Sequence, residues 1–213
     1  MEPYNSPKEL IMTQRTPHII GIGGTGSPNS SSERILRHAL AACERHGATT
    51  MCFDGGALDM PMYAYTTPRT DKAVAFIAAL RSADGVIIAS PGYHGTVSGL
   101  IKNALDYVED MAKDENVYFD GRSVGLIAVA AGWQATGTTL ATLRSITHAL
   151  RGWPTPMALA VNSAVPVFNA EGDIVEPAIA NGLNILAQQV VSFAQMKALH
   201  ELAKASGDAA HDG

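Results

Sequence analysis

The sequence predicts a three-layer α/β sandwich built around a parallel sheet. Three observations support this fold class. Short apolar segments alternate along the chain with longer segments that have helical periodicity. The central strand-like segments are apolar throughout, which is typical of parallel strands that are covered on both faces. Glycine-rich stretches follow the first and third of these segments, at the edge where parallel sheets bind ligands.

Five segments are predicted as strands because each is short, apolar and rich in strand-forming residues. The third and fourth are apolar over nearly their whole length. In chain order, the predicted strands are residues 18–22, 48–53, 85–90, 123–130 and 156–161.

Five longer segments are predicted as helices because their apolar residues recur at a spacing of three or four. In the first helix, Ile35, Leu36 and Ala39 follow this spacing, and Gly47 stands just past its end, as a terminating glycine should. In chain order, the predicted helices are about residues 31–46, 69–82, 98–112, 136–151 and 176–204.

Five strands joined by helices favour one of the two common orders of a doubly wound sheet. Right-handed crossovers are nearly obligatory between parallel strands, and five strands suit the flavodoxin-like order 2-1-3-4-5. We therefore expect a flavodoxin-like domain over residues 17–204. A disordered or extended tail is expected at residues 1–16, and a flexible tail at residues 205–213.

Composition excludes several classes of function. Hydrophobic residues make up 46% of the chain and charged residues 16%, which supports a sizeable core and argues against wholesale disorder. A net charge of -5 without a cationic stripe makes nucleic-acid binding a poor candidate. No signal peptide or membrane-spanning run is visible, so we expect a soluble, cytoplasmic protein without a membrane partner.

The cysteines and histidines do not form a recognisable metal or disulfide pattern. Cys43 and Cys52 are too few for a disulfide framework or a four-cysteine zinc site. We interpret them as core residues, with a redox role as the alternative. The histidines are scattered without the spacing of metal ligands, so no metal site is expected.

The loop after the first strand is rich in glycine and serine. The segment from Gly21 to Gly26 matches the G-x-G-x-x-G pattern of dinucleotide-binding proteins. Pro28 and the serines delay the following helix, which favours a cradle for a phosphate monoester at the helix N-terminus. Its candidate donors are Ser27, Asn29, Ser30, Ser31 and Ser32, and Arg34 is a candidate for added charge. A serine-rich helix cap without a ligand is the remaining alternative.

Residues 90–106 read Ser-Pro-Gly-Tyr-His-Gly-Thr-Val-Ser-Gly-Leu-Ile-Lys-Asn-Ala-Leu-Asp. This segment resembles the P-x-Y-x-G-x-x-S-G-x-L-K-N-x-L-D signature of the NADPH-dependent FMN reductase family, which includes the FMN reductases of alkanesulfonate systems and azo, quinone and chromate reductases. The matching residues are Pro91, Tyr93, Gly95, Ser98, Gly99, Lys102, Asn103, Leu105 and Asp106. Ile101 stands where the family often has leucine. The resemblance covers about residues 17 to 165 and implies a flavodoxin-like fold.

The resemblance also implies a cofactor and the residues that hold it. The serine-rich loop would bind the phosphate of FMN, and Gly132 and Trp133 would close the far side of the flavin. The flavin ring would lie against Pro91, Gly92, Tyr93, His94 and Gly95, largely through backbone groups. A loop-structuring role for Tyr93 and His94 is the alternative. Where the family often has an arginine in the first loop, this sequence has Asn29.

The implied activity is that of an NAD(P)H-dependent FMN reductase. A hydride would pass from NADPH or NADH to FMN, and the reduced flavin would serve a partner monooxygenase or a quinone, azo or metal acceptor. Hydride transfer requires positioning and no protein base, so no catalytic side chain is predicted. The alternatives are a flavodoxin-type electron carrier without turnover, and a flavin-free dehydrogenase that uses the Gly21–Gly26 pattern.

The helix over residues 98–112 carries more apolar residues than one core face needs. In the family this helix lies at a subunit interface, so the resemblance implies a homodimer or homotetramer. Ordinary core packing is the alternative explanation. Lys102 and Asp106, four residues apart on this helix, are interpreted as an intrahelical ion pair.

Overall fold

The computed structural model describes residues 15–209 of the chain. The strands are β1 (His18–Gly23), β2 (Thr49–Phe53), β3 (Gly85–Tyr93), β4 (Thr96–Val97), β5 (Ser123–Ala130) and β6 (Trp153–Asn162). The helices are α1 (Ser31–Arg45), α2 (Asp71–Ser82), α3 (Gly99–Asp106), α4 (Trp133–Ala149) and α5 (Pro177–Ala209), and a 3₁₀ helix (Tyr107–Met111) follows α3.

Five parallel strands form the sheet in the order β2-β1-β3-β5-β6. The short strand β4 lies off this path and pairs antiparallel with the end of β3. With β4 left aside, the order is the predicted 2-1-3-4-5, so the flavodoxin-like class is confirmed and the sheet has one strand more than predicted. The strand order reverses between β1 and β3, which places the expected ligand site above that pair.

Helices cover both faces of the sheet and create two separate cores. Ile20 and Ile22 of β1 point into the core formed with α2, α3 and α4, whereas Ile19 points into the core formed with α1 and α5. Because side chains alternate along a strand, a strand covered on both sides must be apolar at every position. This packing explains the continuous apolar runs from which the strands were predicted.

The glycine-rich stretch that follows the third predicted strand at residue 90 is partly strand in the structure. β3 continues to Tyr93, because Pro91 still pairs with Val129 of β5. The chain then reverses through His94 and Gly95, whose φ angles are 50° and 90°. Positive φ at both central residues is typical of a type I′ turn, the geometry that joins antiparallel strands with two residues. The segment is therefore a rigid hairpin.

The helix ends also differ in detail from the sequence prediction. α3 gives way to the 3₁₀ helix after Asp106, and α4 begins at Trp133, three residues earlier than predicted. α5 continues to Ala209, so residues 205–209 of the predicted C-terminal tail are helical. Residues 1–14 and 210–213 of the predicted tails lie outside the described residues. No helix within residues 15–209 has the length and apolar character needed to cross a membrane.

The apolar residues of the 98–112 segment belong mainly to the core of the single chain. Ile101, Leu105, Val108 and Met111 are all buried, whereas Leu100 keeps partial exposure. Core packing, the alternative considered above, therefore accounts for most of the apolar excess. The homodimer or homotetramer through this helix stays a prediction.

The two thiols are poorly suited to redox chemistry. Burial raises the pKa of Cys43 to about 12 and that of Cys52 to about 11. Both thiols are therefore protonated at neutral pH, whereas a reactive cysteine needs a thiolate. This favours their interpretation as core residues.

Candidate active site at the carboxyl ends of the strands

The loop between β1 and α1 ends in a well-formed helix cap. The Ser30 hydroxyl accepts a hydrogen bond from the N–H of Glu33 at 3.3 Å. The Glu33 carboxylate accepts in return from the N–H of Asn29 at 3.0 Å, and Asn29 adopts a positive φ of 57°. This arrangement satisfies part of the first turn and leaves the N–H groups of Ser31 and Ser32 at the open end of α1.

A partly exposed ion-pair network anchors the same loop to the end of β2. Arg37 donates to Glu33 Oε1 from Nε at 3.2 Å and from Nη2 at 3.1 Å, and Nη2 donates to Asp54 Oδ2 at 2.7 Å. The hydrogen bond to Glu33 is the largest cause of the raised pKa of Arg37. Asp54, the only acid that follows β2 directly, is therefore engaged by an arginine.

The backbone of the loop also packs directly against the residue after Asp54. A Cβ atom placed on Gly55 would lie 1.7 Å from the carbonyl oxygen of Thr25. Dinucleotide-binding proteins of the G-x-G-x-x-G type need a free acid here to bind a ribose. The engaged Asp54 and the Thr25–Gly55 contact therefore disfavour the dinucleotide interpretation of Gly21–Gly26.

The β3–β4 hairpin approaches α4 closely because Gly92 has no side chain. A Cβ atom on Gly92 would lie 2.7 Å from Thr139 Oγ1 and 3.1 Å from the Cβ of Ala130. The buried Ser90 hydroxyl donates to the carbonyl of Pro91 at 2.9 Å and accepts from the N–H of Ser98 at 3.2 Å. These contacts hold the hairpin in a fixed position above the sheet.

Asn103, a residue of the 90–106 signature, is buried and supports the loop after β2. Its Oδ1 accepts from the N–H of Tyr63 at 2.8 Å. Its Nδ2 donates to the carbonyls of Met60 at 3.2 Å and Pro61 at 3.0 Å. Neighbouring Lys102 forms the predicted exposed pair with Asp106 at 2.5 Å. The signature therefore includes a structural amide that never faces the cleft.

The ends of β3 and β5 and the loops after β1, β5 and β6 together enclose a cavity of about 480 Å³, called the main cleft below. Its lining residues are Thr25, Ser27, Ser30, Ser31, Ser32, Pro91, Gly92, Tyr93, Val129, Ala130, Ala131 and Ser163. A side cavity of about 390 Å³ adjoins it at Ala131. The side cavity is lined by Gly95, Ala131, Gly132, Trp133, Gln134, Ala135 and Thr138.

Most of the residues predicted for the site line one of these two spaces. The main cleft brings together Ser27, Ser30, Ser31, Ser32, Pro91, Gly92 and Tyr93. The side cavity brings together Gly95, Gly132 and Trp133. Asn29 and His94 belong to the same loops but do not line either space. Their left-handed backbone conformations, with φ of 57° and 50°, shape the two loops.

Several lining residues were not foreseen from the sequence. Thr25 lies within the Gly21–Gly26 segment, and Val129–Ala131 are the end of β5 and the residue before Gly132. Ser163 comes from a loop that was not considered. Ser163 directly follows β6, the fifth parallel strand, and this position was the available signal. All parallel strands end at the same edge, so the residue after each of them is a candidate for the site.

The main cleft has a polar end and an apolar end. Serine hydroxyls and the first turn of α1 lie at one end, and Pro91, Tyr93 and Val129 lie at the other. None of the described residues that line it carries a charge. The hydroxyls of Ser27 and Ser31 make no hydrogen bond within residues 15–209. This arrangement suits a ligand with an anionic tail and a flat, largely apolar ring.

The chain also matches a known protein family. The profile of the NADPH-dependent FMN reductase family matches residues 17–166, well over half of the chain. The chain belongs to this family. The match confirms the family resemblance, and with it an oxidoreductase that uses FMN and takes electrons from NADPH. A reductase family favours the enzyme over the electron carrier.

The chain is also similar to characterised proteins and solved structures. It is 27% identical to an FMN-dependent NADPH-azoreductase of Staphylococcus aureus (strain USA300) over 80% of this chain and 91% of the relative. The solved structure of FerB, an NAD(P)H:(acceptor) oxidoreductase from Paracoccus denitrificans, superimposes with a TM-score of 0.66 at 16% identity, over 86% of this chain and 99% of that one. The apo form of the NADH:FMN oxidoreductase EMOB superimposes with a TM-score of 0.63 at 20% identity, over 82% of this chain and 90% of that one. At these identities the two structures support the fold alone.

Proposed function

We propose that the main cleft binds FMN with its phosphate at the first turn of α1 and its ring against the β3–β4 hairpin. The observation that carries this assignment is the single cavity that joins Ser27 and Ser30–Ser32 to Pro91–Tyr93. The serine-rich loop and the family signature lie far apart in the sequence, and the sheet brings both to the same edge. An FMN reductase needs this combination of an anion site and a ring site.

The polar end fits a phosphate monoester. Backbone N–H groups at the N-terminus of α1 and the free hydroxyls of Ser27 and Ser31 supply donors, and the helix dipole favours an anion. Ser30 has a different role, because its hydroxyl is already used to cap α1. Ser32 is buried, and its hydroxyl lies 3.2 Å from that of Ser30. It supports the cap from within.

The apolar end fits a flat ring. The lack of a side chain on Gly92 allows the hairpin backbone to lie close to the sheet, where peptide groups can meet the polar edge of a flavin. Tyr93 is 51% exposed and offers aromatic surface at the main cleft, and Trp133, 67% exposed, offers it in the adjoining side cavity. FMN held here would supply the redox chemistry, taking a hydride from the nicotinamide and passing electrons on, while the protein positions the two rings.

The side cavity next to the ring site is suited to the nicotinamide. It opens beside Gly95 and Trp133 and adjoins the main cleft, so a second flat ring placed there can stack on the first. Tyr93 and His94 act in positioning, and no side chain is assigned a proton-transfer role. The use of NADH in place of NADPH as the electron donor stays a prediction.

The acceptor of the electrons is proposed from the names of the relatives. The relatives named as azoreductases support an azo compound, and a quinone, a metal species or a partner monooxygenase that takes up reduced flavin are the other acceptors expected. The cytoplasmic location and the homo-oligomeric state remain predictions from the sequence.

Anaerobic reduction tests the proposed activity. Protein loaded with FMN is expected to lose its flavin absorbance within seconds of adding NADPH, because the nicotinamide can reach the ring through the side cavity. The measurement is absorbance under argon, with FMN and NADPH mixed without protein as the control. Bound flavin that stays oxidised would instead indicate the electron carrier, and failure to bind FMN would contradict the assignment of the cleft.

The Ser27→Ala variant tests the phosphate end of the cleft. Loss of a hydrogen bond to a charged phosphate is expected to weaken FMN binding by about 1.5–3 kcal/mol. Ser30→Ala is the informative comparison, since loss of the helix cap should lower the free energy of unfolding by about 1 kcal/mol. The measurements are FMN fluorescence titration and urea unfolding. Unchanged FMN affinity in the Ser27 variant would contradict this orientation of the cofactor.

A further inference from the structure

A third cavity lies beside the polar end of the main cleft and contains an arginine. It has a volume of about 380 Å³ and is lined by Ser31, Arg34 and residues 163–168. Ser31 and Ser163 line both this cavity and the main cleft, so the two spaces are neighbours. Arg34 is therefore close to the site proposed for the FMN phosphate.

The side chain of Arg34 is held by the segment that follows β6. Its Cζ lies 3.7 Å from the centre of the Phe168 ring, in a cation–π contact. His38, one turn further along α1, stacks on the Phe168 ring, with 5.8 Å between the two ring centres. The His38 Nε2 lies 3.1 Å from the carbonyl oxygen of Gly172. The guanidinium is thus oriented by packing and not by an acid.

The charges around the loop distinguish Arg34 from its neighbour Arg37. Arg37 is engaged by two carboxylates, those of Glu33 and Asp54. Arg34 forms no ion pair within residues 15–209. Of Arg34 and Arg37, Arg34 is therefore the one whose positive charge is available to a ligand.

The phosphate end of the main cleft needs such a charge. A phosphate monoester carries between one and a half and two negative charges at neutral pH. The serines are neutral, and the dipole of α1 supplies only about half a positive charge. Asn29, in the same loop, is also neutral. The donors of the cleft therefore leave the anion largely uncompensated.

We propose that Arg34, oriented by Phe168, binds the phosphate group of FMN and supplies the positive charge that the β1–α1 loop lacks. The inference rests on the proposed binding of FMN in the main cleft. The residues after β6 then serve the site indirectly, because Phe168 orients the guanidinium in a cavity that Ser31 also lines.

The Arg34→Gln variant tests the proposal through the ratio of FMN affinity to riboflavin affinity. Riboflavin has the same ring but no phosphate, so this ratio isolates the contribution of the anion site. The variant is expected to bind FMN about tenfold to a hundredfold more weakly and to bind riboflavin as the wild type does. Arg45→Gln is the matched control, because it removes the same charge about 16 Å away along α1. This control should leave both affinities unchanged.

Each outcome of the titration has a clear meaning. An unchanged FMN-to-riboflavin ratio in Arg34→Gln would overturn the proposal, and so would equal weakening of both flavins, which is the result of a purely structural role. Loss of discrimination between NADPH and NADH with an unchanged flavin ratio would place the arginine at the nucleotide phosphate and also overturn it. A wild-type protein that binds FMN no better than riboflavin would contradict the proposed phosphate site itself.

Discussion

Replacement of Asn103 by alanine is expected to lower the free energy of unfolding by about 2–4 kcal/mol, because buried polar groups lose their partners. The variant leaves the N–H of Tyr63 and the carbonyl of Met60 without the amide that now satisfies them. The carbonyl of Pro61 keeps one partner, the Tyr107 hydroxyl at 3.0 Å. The measurement is urea unfolding of the FMN-free protein, which separates stability from cofactor binding.

The adjacent signature residue provides the control for this prediction. Lys102 forms an exposed ion pair with Asp106, and the two side chains are 51% and 42% exposed. Lys102→Ala should therefore change the free energy of unfolding by at most about 0.5 kcal/mol. Equal losses in the two variants, or an Asn103 variant as stable as the wild type, would show that the amide does not support the loop after β2.

Replacement of Gly55 by alanine is expected to weaken FMN binding about tenfold or more and to destabilise the fold by about 2–3 kcal/mol, as overpacking does. The new methyl group would lie 1.7 Å from the carbonyl oxygen of Thr25, so the backbone of the β1–α1 loop must move. Thr25 and Ser27 line the main cleft, and their displacement disturbs the proposed phosphate site.

Gly56→Ala is the matched control for the Gly55 variant. A Cβ atom on Gly56 would meet Asp54 Oδ1 at 3.6 Å, which is ordinary van der Waals contact. The control should bind FMN as the wild type does and unfold within about 1 kcal/mol of it. The measurements are fluorescence titration with FMN, for the affinity, and urea unfolding, for the stability, of both variants. Normal FMN binding by Gly55→Ala would show that the loop can shift without affecting the cleft.

Much of the architecture is predictable from the sequence because its causes are local. Helical spacing, apolar runs and boundary residues such as Gly47 depend on neighbouring positions in the chain. The family signature is equally local, since it occupies one continuous segment at residues 90–106. These features led to the correct strand order and to the correct family.

The roles of individual signature residues were less predictable. Asn103 is part of the family pattern, yet it contacts the loop at residues 60–63 and does not face the cleft. The sequence indicates only a glycine-rich stretch where the structure has the hairpin at His94 and Gly95. Its second strand, β4, has just two residues, too few to give a strand pattern. A pattern identifies which residues occur together, but the contacts of a buried amide depend on distant segments.

By itself, the sequence determined the α/β class, the order of the parallel strands and the membership of a flavin reductase family. Only the tertiary structure decided which side chains meet at the carboxyl ends of the strands. It placed Asp54 on Arg37, set Ser163 in the main cleft and laid Arg34 on Phe168. Each of these contacts joins segments that are remote along the chain, and such pairings arise from packing of the whole domain, which no local spacing specifies.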